Sequence, residues 1–160
     1  MRTVLITLLA VVIAGCATGD RRQSAEDEAL NQQAVYQRHA GATQSWVRYT
    51  RIRNWWPVGL SSVALQTGPS QHYLLELTGA CDLSLDRAIA VRLVTRSTNV
   101  LSEGDELVAD GRRCRVRAIR PLDYGAVQAE LGDDAGERGR RQGQVEVHSR
   151  EQAPQPSGGV

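Results

Sequence analysis

The sequence predicts a mainly β fold, a small antiparallel barrel or sandwich of about six strands, and three observations lead there. Apolar residues recur with period two in several short stretches. Turn-forming residues separate those stretches, and the segments flanking 44–123 are poor in apolar residues. The expected organisation is a leader over 1–15, a tether over 16–43, a β domain over 44–123 and a flexible tail over 124–160.

An early strand runs from about Trp46 to Trp55. Val63, Leu65 and Thr67 then alternate with Ser62, Ala64 and Gln66. Tyr73, Leu75 and Leu77 alternate with His72, Leu74 and Glu76, across the turn signal Gly68-Pro69-Ser70. Two antiparallel strands around a turn follow from that pattern. Ile89, Val91 and Leu93 carry the next stripe. The last pair closes at Asp110-Gly111, a dipeptide suited to the positive φ angles of a type I′ turn. A two-residue turn there sets Ala109 opposite Arg112, Val108 opposite Arg113, Leu107 opposite Cys114 and Glu106 opposite Arg115. Leu107, Cys114, Val116 and Ala118 then share the buried face, and Glu106 meets Arg115 on the wet one.

The amino-terminal segment speaks of location. Met1-Arg2-Thr3 is a basic start, Val4 to Ala14 is apolar, and Ile13-Ala14-Gly15-Cys16 reads as a lipobox. An apolar run of about 11 residues is too short to span hydrocarbon, which takes roughly 20 in a helix. The expectation is a bacterial lipoprotein held by palmitate-type acyl chains on Cys16, facing the periplasm. Ala17 in place of Asp favours the outer membrane over the inner. Beyond Cys16, a short amphipathic helix is available over Ala25–His39 on Leu30, Ala34 and Val35, with Ser24 as N-cap. The tail, ending Pro154-Gln-Pro-Ser-Gly-Gly-Val160, offers too little apolar surface to offset ordering entropy, so it is expected to be disordered.

Charge excludes some partners. All 19 basic residues are arginine, and 18 acids stand against them. Without Arg2 the chain is formally neutral, which gives no support for nucleic-acid binding. One cysteine taken by lipid leaves Cys81 and Cys114 in an oxidising compartment, and the two are expected to be joined. In the loop-entropy account a closure of this length contributes up to about 4 kcal/mol. A redox pair is the alternative, although reactive dithiols usually come as Cys-x-x-Cys.

Several of these segments resemble a family of small bacterial lipoproteins catalogued as a domain of unknown function. The segments are the lipobox, the Trp-containing strand, Tyr73-Leu74-Leu75-Glu76-Leu77, Cys81-Asp82-Leu83, Gly104-Asp105-Glu106-Leu107, Gly111-Arg112-Arg113-Cys114-Arg115-Val116 and Ile119-Arg120-Pro121-Leu122-Asp123. The likeness covers about Gln44 to Asp123. It implies a secreted, disulfide-containing β domain and transfers no catalytic residue.

Direct chemistry is sparse. Gly59-Leu60-Ser61-Ser62-Val63 matches only the first half of a nucleophile elbow. His39, His72 and His148 lack a second ligand at metal spacing, so neither a metal nor a cofactor is expected, and His72 reads as a turn-edge residue on the wet face. Gly136, Gly139 and Gly143 follow no strand, and Asp133-Asp134 and Glu26-Asp27-Glu28 lie in the presumed flexible segments. Two surfaces are candidates for binding. Trp46, Trp55 and Trp56 cluster with Tyr49 and Pro57, and because adjacent strand residues point to opposite faces, one of Trp55 and Trp56 is expected to stay partly exposed. Arg113, Arg115 and Arg117 form a solvent-facing stripe, either a solvated sheet face or a site for anionic lipid or polysaccharide. The leading expectation is a non-enzymatic envelope protein that binds or supports an envelope protein or cell-wall partner. The competing one is a periplasmic enzyme, which needs a cleft gathering groups such as Ser61, His72, Asp82 and Asp86.

Overall fold

Seven strands curl into a half-barrel, and the chain's other elements close one end and one face of it. The computed structural model describes residues 17–79, 88, 90–132 and 144–149. In chain order these residues form α1 (Ala17–Arg38), β1 (Trp46–Arg48), β2 (Asn54–Val58), β3 (Ser62–Gln66), β4 (His72–Gly79) and β5 (Ala90–Thr95). There follow β6 (Val100–Ser102), β7 (Glu106–Ala109), β8 (Arg112–Pro121), α2 (Tyr124–Leu131) and β9 (Gln144–Ser149). The large sheet has the order β2-β3-β4-β8-β7-β5-β9, while β1 and β6 pair separately. Every pairing is antiparallel except β5 with β9. The edge strands β2 and β9 approach within 8 Å between Cα atoms, which is how far the sheet has curled.

The class is the one the sequence predicts, with nine strands in place of about six. The segment from Trp46 to Trp55 holds two strands, because β1 leaves the sheet to pair with β6. β6 itself is the second addition, and the third, β9, lies in the expected tail.

The hairpin follows its expected register, with Ala109 opposite Arg112 and Glu106 opposite Arg115. Asp110 and Gly111 have φ of 49° and 79°, as a type I′ turn requires. The inward run of β8 differs in one respect. Between Glu76 and Leu77 the register of β4 on β8 shifts, so Glu76 faces Ala118 while Leu77 faces Val116. Arg117 is the extra residue of this bulge, and a bulge reverses the alternation beyond it. Cys114 and Val116 therefore point inward before it and Ile119 after it, while Ala118 lies on the other face, half-buried.

Both faces of the sheet are covered. Inward, Trp55, Val63, Leu65, Leu75, Leu77, Leu93, Leu107, Cys114 and Ile119 form one cluster with Val47, Tyr49 and Leu101. Outward, Trp56, Val58, Ala64 and Leu74 meet Val35 and Tyr36 of α1 and Val127 of α2. The second cluster revises the expected tether and tail. The helix begins at Ala17, so Ser24 lies inside it and is not its cap. Its buried stripe is Gln32, Val35 and Tyr36, whereas Leu30 is 49% exposed and Ala34 is exposed. Apolarity alone pointed to the wrong stripe because glutamines carry part of the contact. Gln33 Oε1 accepts from the Leu60 N–H at 3.2 Å. Gly59, with φ of 59°, lets the helix come this close, since a Cβ there would stand 2.9 Å from the Ala29 carbonyl oxygen.

In the expected tail, α2 is capped by Asp123, whose Oδ1 accepts from the Ala126 N–H at 3.0 Å, and Val127 is fully buried. The expected anchor residue Cys16, with Cys81, Asp82 and Asp86, lies outside the described residues.

Candidate functional site

Residues 45–53 and 96–105 cross the mouth of the half-barrel and form a cap. Alternation decides what each of its residues does. Val47 and Tyr49 point into the inner core and Ile52 packs against it, while Trp46, Arg48, Arg51 and Arg53 are exposed. The segment is tied at both sides, by Glu103 N–H to Ser45 O at 2.9 Å and by Arg53 N–H to Gln66 O at 2.7 Å. Asp105, 2% exposed, fixes the return loop. Its carboxylate accepts from Ser102 N–H at 2.8 Å and from Arg96 N–H and Nε at 3.2 Å each. Burial pushes the Tyr49 hydroxyl pKa up; the Thr95 hydroxyl beside it lowers it and the Asp105 charge raises it further. On the outer surface the Arg48 guanidinium lies 5.9 Å from the Trp46 ring centroid, and Trp46 is 56% exposed.

A shallow cleft of about 480 Å³ opens where α1, the β3–β4 turn and the end of β8 meet, lined by His39, Gln71, His72, Tyr73, Pro121 and Asp123 among others. His72 is not on a wet face. Its ring stacks at 4.7 Å on Tyr124 and 6.0 Å from Trp56, and burial lowers its pKa. His39 Nε2 is 2.7 Å from Glu130 Oε2, a contact that, with help from Arg38, holds the Glu130 carboxyl below its ordinary value. These contacts lock α1 to α2. A second hollow of about 350 Å³ lies by the Asp110-Gly111 turn, between Arg92 and Glu146.

Of the residues named for catalysis, the two described, Ser61 and His72, do not converge. The pairing sets Ser62 opposite Glu76 and Gln66 opposite His72. Ser61 and His72 therefore stand at opposite ends of two strands, roughly 13 Å or more apart. Among the described residues no group of three or more His, Cys, Asp or Glu is placed to hold a metal ion.

The expected binding tryptophan is corrected. Trp55 and Trp56 do point to opposite faces, but they are 2% and 1% exposed, because the helices cover the second face. Trp56 Nε1 donates to Tyr36 Oη at 2.9 Å. Trp46 is the exposed indole. The alternation of Trp46 and Arg48 with Val47 and Tyr49 was the signal that could have separated it from the other two.

The arginine stripe lies on the solvent face as expected, with Arg113, Arg115 and Arg117 all exposed. Much of its charge is met. Arg113 Nη1 donates to Glu106 Oε2 at 3.1 Å across the diagonal, while Arg115, opposite Glu106 in the register as expected, makes no ion pair with it. Arg117 binds Glu76, which also has Arg120 at 3.6 Å. Cys114, 1% exposed, faces Gly79, two residues before Cys81.

A half-barrel backed by a long amino-terminal helix and fitted with a basic, aromatic cap thus defines a small β-domain protein. Residues 1–138 match a family of unknown function (DUF6491), and the chain belongs to that family. No curated protein and no solved structure matches it.

Proposed function

We propose that the protein is a lipoprotein of the bacterial cell envelope, facing the periplasm, that binds or supports another envelope component without catalysing a reaction. Acyl chains on Cys16 anchor it, each buried methylene contributing about 0.8 kcal/mol. Ala17 favours the outer membrane. The observation that carries this reading is the succession of a basic start, a short apolar run, Ile13-Ala14-Gly15-Cys16 and then α1 from Ala17, whose side chains from Gln23 to Glu28 are exposed and whose contact with the domain includes Gln32, Gln33, Val35 and Tyr36. A stalk of that kind suits a domain held off a bilayer. Mass spectrometry of the mature amino terminus tests it: an acylated Cys16 is expected, and an unmodified Cys16 or a chain beginning elsewhere contradicts it. Replacing Cys16 with Ser should leave the leader uncleaved.

A bridge between Cys81 and Cys114 belongs to the same reading, supported by the inward, buried place of Cys114 and its pairing with Gly79. Thiol labelling of denatured, unreduced protein should find neither cysteine free. Labelling at both overturns the bridge. The partner is an envelope protein or the cell wall, to be captured by crosslinking in intact envelopes.

A further inference from the structure

The cap carries charge that the fold does not use. Elsewhere most exposed arginines of the sheet and helices meet carboxylates, Arg115 being an exception: Arg38 meets Glu130, Arg92 meets Glu146, Arg96 meets Asp105, Arg113 meets Glu106 and Arg117 meets Glu76. Among the described residues Arg48, Arg51 and Arg53 enter no ion pair. They lie within six residues of one another, on the outer surface of one segment whose inner residues are fixed in the core. Trp46 stands beside them with Arg48 over its ring. Among the described residues Glu103 is the carboxylate that the pairing of Ser45 brings near, since Asp105 is buried and held by Arg96. Neither of the two clefts above includes a cap residue.

From these observations we infer that the cap docks on an anionic phospholipid headgroup layer. An indole sits well at headgroup depth, with its apolar body toward the acyl chains and its N–H toward water. Arginines around it meet phosphates, with forks that match that geometry. Arg53 and the part of α1 at Ala29 lie toward opposite ends of β2 and β3. Ala29 and Gln33 cross the β2–β3 turn at Gly59, and Arg53 binds Gln66 at the other end of the same strands. With 22 residues, α1 is about 33 Å long at 1.5 Å per residue. An anchor at Cys16 and a docked cap give two contacts with one bilayer. The cap's binding does not depend on acylation at Cys16, so each idea fails by its own experiment.

The chain from Ala17 onward, which lacks both the apolar leader and the acyl acceptor, is mixed with phosphatidylglycerol or phosphatidylcholine vesicles, with and without brominated acyl chains, while tryptophan emission is followed. Trp55 and Trp56 are already buried, so a blue shift and bromine quenching report on Trp46. Both are expected with phosphatidylglycerol only, and both weaken with salt. Each arginine is worth roughly a five-fold change in partitioning, so Arg48→Gln, Arg51→Gln and Arg53→Gln together should weaken it on the order of 100-fold. Equal partitioning into both lipids, an unmoved Trp46 emission, or undiminished partitioning of the triple variant overturns the inference. So does preferential capture by soluble dextran sulfate, which points to a polyanion. Should the triple variant fail to fold, Trp46→Ala and the salt titration of the parent decide the matter.

Discussion

Trp55 and Trp56 are neighbours in the sequence and equally buried, yet different parts of the chain bury them. Trp55 lies in the concavity of the half-barrel, where the sheet's own curl and the cap exclude water. Trp56 lies on the convex face, where only α1 and α2 do so. The inner face is thus closed almost entirely by residues within 44–123, with Val145 of β9 added, and the outer face depends on helices at both sides of that segment. A chain cut to 44–123 would leave Trp56, Val58, Ala64 and Leu74 without their helical cover.

Truncation of either indole should be severe. Trp55→Ala and Trp56→Ala are each expected to cost about 3–5 kcal/mol in denaturant unfolding, since each empties a fully packed site. Trp46→Ala should stay within about 0.5 kcal/mol, as surface changes do. A large loss at Trp46 would mean that the cap's outer row is structural, and a small loss at Trp56 would mean that the outer face does not matter.

A finer cut separates the faces by partner. Tyr36→Phe removes the acceptor of the Trp56 Nε1 hydrogen bond and strands a buried donor, at a cost of roughly 1–3 kcal/mol. In a double-mutant cycle it should couple to Trp56→Phe and add simply to Trp55→Phe. Coupling to both would show that the sheet transmits the change and the faces are not independent.

The outer face should also respond to acid. Burial lowers the His72 pKa, so the folded state binds that proton less readily than the unfolded state, whose value is near the ordinary 6.5. The stability linked to His72 is complete above about pH 6.5 and declines as the pH falls below it toward the folded pKa. Glu130, also lowered, adds its own loss in the carboxylate range. Urea midpoints at pH 7.5 and 5.5 should therefore differ more for the parent chain than for His72→Gln. Equal differences would place His72 outside the titrating set.

What the sequence made legible was local, and what it hid was tertiary. The Asp110-Gly111 hairpin could be read to the residue because two positive φ angles fix a two-residue turn and the turn fixes the register. Ala118 was misplaced because the bulge at Arg117 arises from pairing with β4, a strand some forty positions away in the chain, and leaves no mark on composition. The stripe of α1 was missed because Gln32 and Gln33 do the work of apolar residues there, one by burial and one by a hydrogen bond. β9 was missed because its pairing is with β5 and because Glu146, Val147 and His148 in its middle are exposed. The candidate site suffered most. Tryptophans could be counted but not ranked, since the exposure of Trp55 and Trp56 was settled by helices that the alternation of β2 cannot report.

The claim on which the rest depends is that α1 is two things in succession, a stalk and then the lid of the outer core. Residue-resolved amide hydrogen exchange of the purified full chain tests this most directly. From Gln32 to Arg38 the amides should exchange at rates near that of global unfolding, because Val35 and Tyr36 cannot leave Trp56 without exposing the outer core. From Gln23 to Glu28, where every side chain is exposed, exchange should be faster by orders of magnitude. Uniformly fast exchange along α1, with Trp56 still protected, would contradict the account and return the whole helix to the role of a tether.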